Sequence, residues 1–183
     1  MQGRRDVPLS ERGRAQARSW RIPAEIAPDT LWVSSPLCRA VETAEILTGR
    51  SVERESALVE MSWGDWEGHT LAELRSTQSE AYAANVVRGI DFRPPNGESP
   101  RDVLARVEPW LTRVAARRTP VTAVTHLGVL RALLAAATGW DMVGKPPLRL
   151  QSGALHRFAV DRDGRVAIVD CNIPLVASPS ASG

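Results

Sequence analysis

The hydrophobic pattern of the chain changes period several times, and each change marks an element. Ser10 stands where it can cap a helix running through Ala15, Gln16 and Ala17 to about Trp20, and Pro23 and Pro28 mark a loop beyond it. Leu31, Trp32 and Val33 form a short apolar run that ends in Ser34-Ser35-Pro36, the mark of a strand entering a turn. Leu37 to Thr48 then has helical spacing, with Gly49 as its stop. Ser51 to Leu58 is predicted as another short strand. Thr70-Leu71-Ala72-Glu73 has the form of a capping box, and Ser99-Pro100 opens a helix carrying Val103, Leu104 and Val107. Val121 to Val124 reads as a buried strand, followed by a turn holding His126 and Gly128 and a helix from about Val129 to Thr138 ended by Gly139. Two strand-like runs, Ala154 to Val160 and Val166 to Val169, are joined by residues 161–165 as a hairpin. Strands alternating with helices and closing in a hairpin predict a three-layer α/β sandwich with a mostly parallel, mixed sheet. Ligands of such sheets bind beyond the carboxyl ends of the strands, where Ser34 to Arg39 and Thr125 to Gly128 both fall.

Composition narrows the picture to one domain. The chain has 183 residues, of which 43% are hydrophobic, enough for one sizeable core. Residues 1–175 are expected to form it, and residues 176–183, mostly Ala, Ser, Pro and Gly, to be a flexible tail. The net charge is only +2 and the arginines are interspersed with acids, as at Glu11 and Asp102. No basic stripe is interleaved with aromatics, so nucleic acid is not an expected partner. Cys38 and Cys171 are too few for a disulfide framework and have no metal-type spacing, and neither metal nor cofactor is expected. The longest apolar stretch, Val121 to Trp140, is broken by His126, Gly128 and Arg131, so it reads as strand, turn and helix and no membrane partner is expected. With no charged-then-apolar leader after Met1, a reducing cytoplasm is the expected setting.

Candidate chemistry lies in four blocks. Residues 2–17 fit Q-G-x-x-D-x-P-L-S-x-x-G-x-x-Q-A, residues 34–44 fit S-S-P-x-x-R-A-x-x-T-A, residues 60–68 fit E-x-x-x-G-x-W-E-G, and the fourth runs from Val124 to Arg131 around His126. Arg39 sits at the start of a helix after a strand, where amides and a planar guanidinium together make an anion site. Glu60 and Glu67 are rival carboxylates, with Trp63 and Trp66 near enough in sequence to wall one of them. Gly128 lets the backbone approach a ligand closely. His69 precedes the Thr70 cap and His156 sits in the hairpin, so neither is expected to be catalytic, while Glu98 and Ser99 border the pocket or serve the helix start.

In content and order these blocks resemble the histidine phosphatase superfamily, the phosphoglycerate-mutase-like phosphohydrolases. The resemblance implies that Arg39 holds the transferred phosphoryl group, that Glu60 rather than Glu67 is the general acid, and that His126 donates a hydrogen bond to the phosphoryl oxygens. Gln2, Gly3 and Gly128 border the substrate. Leu127 departs from the Gly or polar residue common there, which implies a drier wall, and Asn96 stands where Gly is usual. The implied activity is hydrolysis of small phosphomonoesters, a small phosphorylated metabolite being the partner. The short stretch between Trp66 and Pro94 favours a phosphatase over a mutase.

The resemblance also implies a hydrophobic strand ending in Arg-His-Gly ahead of Gln2, its histidine being the nucleophile. Residues 1–183 do not hold that motif, and as they stand they are expected to be inactive. A start placed too late, a non-catalytic phospho-ligand binder and a decayed gene compete as explanations. Retention of Arg39, Glu60 and His126 together favours the first. A slot lined by Val121 or Ala123, or a hairpin shifted to close it, is then expected beside the strand at 121–124.

Overall fold

The computed structural model describes residues 1–23, 30–117 and 119–177. The Ser10 hydroxyl accepts from the Gly13 amide and starts helix α1, Glu11–Ser19. Strand β1, Trp20–Arg21, follows, then β2, Leu31–Ser34, and helix α2, Cys38–Thr48, which Gly49 ends with a left-handed φ of 69°. The predicted strand over 51–58 is reduced to β3, Glu53–Arg54, because residues 56–58 wind into a 3-10 turn capped by the Glu55 carboxylate. Thr70 and Glu73 form the expected capping box of α3, Leu71–Thr77, and α4, Ser79–Val86, follows it. A second capping box, Ser99 with Asp102, opens α5, Pro100–Ala116. Strand β4, Val121–Val124, leads to α6, Leu127–Thr138, and the hairpin is β5, Ala154–Val160, with β6, Val166–Pro174.

Strands β3, β2 and β4 form a parallel sheet in that order, and β5 pairs with β6 antiparallel. Strand β7, Val176–Ala177, pairs with β1, so a strand takes up the first two residues of the segment expected as a tail. Pro28 and residues 178–183 lie outside the described residues. The core lies between the sheet and α5 and α6, where Val33, Leu58, Val103, Val107, Val129 and Leu133 pack together. Each such side chain contributes about 1.5 to 3 kcal/mol by leaving water. Among the described residues no helix is long and apolar enough to cross a membrane.

Strand β4 is half-buried along its length rather than buried as expected. Among the described residues it pairs with β2 on one edge and with no strand on the other, and a cleft of about 1160 Å³ lies between it and the hairpin. Ala40 and Leu47 of α2, Leu130 and Leu134 of α6, Ala123 of β4 and Leu155 of β5 line this cleft. The amides of Leu31 and Ser35 donate to the carbonyls of Pro120 and Val124 at 3.0 and 2.8 Å. By the two-residue alternation of a strand, the peptide groups of Ala123 therefore face the cleft. Ala123 lines this cleft, whereas Val121 lines a smaller pocket of about 160 Å³ with Leu31 and Trp110.

Candidate active site

Three loops meet where β2 and β4 end. After β2 the chain turns through Ser35 into α2, which places Arg39 in the first turn of that helix. After β4, His126 stands at the position before the first residue of α6 without a capping side-chain bond, so Gly128 lies in the first turn of that helix and not, as expected, in the turn before it. Glu60 follows the 3-10 turn at 56–58, and its carboxylate accepts from its neighbour's amide, Met61, at 2.8 Å and from the Gly128 amide at 3.3 Å. Glu60 and His126 are thus held at one helix N-terminus. Arg39 is half-buried, and its charge is close enough to act on both.

The electrostatics of the two titratable groups oppose each other. Burial pushes the Glu60 carboxyl above its ordinary value, against the amides of Met61 and Gly128 and the charges of Arg39 and Arg106. Burial, with the same two arginines, lowers His126 from 6.5 to about 3, so the imidazole is neutral at ordinary pH. Its Nε2 shares a hydrogen bond of 2.7 Å with the hydroxyl of fully buried Ser35. An imidazole, a guanidinium and a carboxyl raised by burial can together bind a dianion and serve proton transfer to a leaving oxygen.

The N-terminal loop covers this group. The Arg39 guanidinium donates to the carbonyl of Gly3 at 2.8 Å and to that of Arg5 at 2.9 Å, and Asp6 accepts from the Cys38 amide at the start of α2 at 2.7 Å. Gly3 is buried with φ of 53°, and a Cβ there would overlap the Glu67 carboxylate. Glu67 binds the amides of Arg4 at 2.8 Å and Trp63 at 3.1 Å, tying two loops together. Gln2 is exposed, and its carbonyl closes a turn with the Arg5 amide. Trp63 and Trp66 do not contribute the hydrogen bonds that hold Glu60; they pack with Phe92, and Trp66 also with Tyr82, as an aromatic cluster.

Sequence reasoning assigns no role to Ser35, Arg4 or Arg106, all of which touch this region. A serine between a strand and a helix was the signal for the first; the arginines have none, because their partners lie far away in sequence. His69 is exposed, 4.0 Å from Glu73. His156 lines the cleft together with Arg39 and His126, and its Nδ1 accepts from the Asn172 amide at 3.2 Å.

Gly128 carries a direct prediction. A Cβ at this position would collide with the Glu60 carboxylate and stand 3.1 Å from the buried Met61 Cβ. Gly128→Ala is expected to displace Glu60 from the helix N-terminus and to cost about 1 to 3 kcal/mol. Urea midpoints for the two chains measure this, and equal midpoints would refute the close contact.

The chain is similar to known proteins over most of its length. The family model for the histidine phosphatase superfamily (branch 1) matches residues 1–173. A 2,3-bisphosphoglycerate-dependent phosphoglycerate mutase of Methylobacterium radiotolerans is 33% identical over 90% of this chain and 84% of its own. A glucosyl-3-phosphoglycerate phosphatase of Mycobacterium tuberculosis is 34% identical over 81% of this chain and 72% of its own. The solved complex of the mycobacterial glucosyl-3-phosphoglycerate phosphatase with inorganic phosphate superposes with a TM-score of 0.79 at 30% identity, over 97% of this chain and 93% of that one.

Proposed function

The chain belongs to the histidine phosphatase superfamily, and on that premise we propose that it serves hydrolysis of a small phosphomonoester, with Arg39, Glu60 and His126 as its phosphate-handling residues. The observation that carries this reading is that the Glu60 carboxyl and the His126 imidazole meet at the N-terminus of α6, with Arg39 in the first turn of α2, at the carboxyl ends of the parallel strands β2 and β4. Arg39 holds the phosphoryl oxygens and His126 hydrogen-bonds them. With the nucleophilic histidine that the resemblance implies ahead of Gln2 in place, its nitrogen would bond to phosphorus as the P–O bond to the alcohol breaks and Glu60 gives its proton to that leaving oxygen; Glu60 would then take a proton from the water that attacks phosphorus, breaking the P–N bond and releasing phosphate and the histidine. Gln2, Gly3 and Gly128 form the backbone border of the substrate.

The reading prefers phosphatase to mutase, on the short stretch between Trp66 and Pro94. It includes a reducing cytoplasmic setting, in keeping with the free thiols of Cys38 and Cys171. The histidines of residues 1–183 are His69, His126 and His156. None stands where the resemblance puts the nucleophile, so these residues alone bind phosphate without turning over a phosphomonoester.

The test compares residues 1–183 with a version extended ahead of Gln2 by an apolar strand ending in Arg-His-Gly. The first should bind phosphate, more weakly as salt rises, and leave aryl phosphates intact. The second should hydrolyse members of a phosphomonoester panel. An extended, folded protein that binds phosphate but hydrolyses nothing favours a non-catalytic phospho-ligand binder. Steady turnover by residues 1–183 that disappears in His126→Ala or His156→Ala would overturn the nucleophile assignment.

A further inference from the structure

Against the backbone around Glu60 lies a knot of charge that the proposed reaction does not use. Glu98 and Arg106 are largely buried, with side-chain exposures of 18% and 19%. Arg106 Nε donates to Glu98 Oε1 at 3.1 Å, while its two terminal nitrogens donate to the carbonyls of Ala57 and Val59, on the turn that leads into Glu60. Glu98 Oε2 accepts from the Ser62 amide at 3.1 Å, and the Glu98 amide donates to the Ser62 carbonyl at 2.9 Å. Arg4 pairs with Glu98 through one nitrogen and donates to the Glu60 carbonyl at 3.2 Å through Nε. The backbone on both sides of Glu60 is therefore bound to one carboxylate, directly at Ser62 and through arginines at residues 57, 59 and 60.

We propose that Glu98 is a positioning residue for the Glu60 carboxyl, clamping residues 57–62 and balancing the charges that Arg106 and Arg4 bring to their backbone. The proposal rests on Glu60 being the acid. A buried guanidinium without a counter-charge is costly, and near a carboxyl it favours the ionised form. Arg39 from α2, Arg106 from α5 and Arg4 from the N-terminal loop all supply positive charge around Glu60, and the N-terminal amides of α6 add to it. His126, on the same helix end, is neutral and supplies none. Glu67 is spent on the amides of Arg4 and Trp63. Glu98 is the carboxylate bonded to both Arg106 and Arg4.

The deciding measurement is the titration of the Glu60 carboxyl carbon by NMR in residues 1–183, assigned with Glu60→Gln. Glu98→Gln keeps the shape and removes the charge, and should lower the Glu60 midpoint by about 0.5 to 1 pH unit. Adding Arg106→Gln should return it towards the starting value, and Arg106→Gln alone should raise it. Glu11→Gln, on the exposed side of α1, should leave it unmoved. An unchanged Glu60 midpoint in whichever of the Glu98 and Arg106 variants fold, judged by their melting curves, overturns the proposal. Phosphate binding measured alongside separates the two ideas. A chain that binds phosphate while Glu60 ignores Glu98 refutes the positioning role alone, whereas the expected titration without any phosphate affinity counts against the reading of the site.

Discussion

Arg39→Ala should weaken phosphate binding by about 30- to 1000-fold, the equivalent of roughly 2 to 4 kcal/mol. The half-buried guanidinium lies in the first turn of α2, with two nitrogens already donating to the carbonyls of Gly3 and Arg5. A phosphate at this site gains charge-assisted bonds from the same planar group, which an ammonium reproduces only in part. Arg39→Lys should therefore recover only a fraction of the affinity. Both substitutions also release the N-terminal loop, so melting curves must accompany phosphorus NMR or calorimetry to separate loosening from lost binding. A folded Arg39→Ala chain with undiminished phosphate affinity would remove Arg39 from the site.

Acid should destabilise the protein well before its aspartates protonate. His126 is neutral when folded, at about 3, and has its ordinary value of 6.5 when unfolded. A group lowered by folding contributes stability above its unfolded pKa and loses it as pH falls towards the folded value, here between 6.5 and about 3. At pH 4.5 the loss is roughly 2 to 3 kcal/mol, at about 1.4 kcal/mol per pH unit. Glu60 works in the opposite sense: raised by folding, it contributes stability at low pH and loses it as pH rises through its folded value, and so offsets part of the effect just above its ordinary 4.5. Asp6 and Asp102, both lowered, add acid lability only around and below their ordinary 3.8. His156, also lowered from 6.5 by burial, adds a loss of the same sign, so in His126→Gln the slope of melting temperature between pH 6.5 and 4.5 should shrink markedly without vanishing, whatever its level at neutral pH. A bound phosphate dianion, which favours the imidazolium, should also flatten it. An unaltered slope in His126→Gln would show that another group governs the acid response.

Local physics made the elements readable from sequence. Ser10, Thr70 and Ser99 satisfy free helix amides within three residues of themselves, and Gly49 takes a left-handed φ that side chains resist. Such signals survive in any context because their partners are neighbours in the chain. The resemblance carried by Arg39, Glu60 and His126 was equally legible, since it rests on residue types and their order. Where signals were weak the reading failed. The run at 51–58 keeps only two strand residues and ends in a 3-10 turn at 56–58, because the Glu55 side chain offers the Ala57 amide a nearer partner than another strand would. The α6 helix begins at Leu127, two residues before its apolar spacing suggests, because the N-terminal amide of Gly128 is bonded to a carboxylate 68 residues away.

The sequence by itself determined the family, the order of strands and helices, and the residues available for phosphate chemistry. Only the tertiary structure decided what surrounds them. It set Ser35 against His126, turned Trp63 and Trp66 towards Phe92, bound Arg39 to the carbonyls of Gly3 and Arg5, and gathered Arg4, Glu98 and Arg106 against the backbone around Glu60. It also placed a cleft between β4 and the hairpin. Caps and periodicity act over a few residues, but burial and charge act through space. The environment that shifts a pKa is therefore built from segments whose separation along the chain carries no trace of their contact.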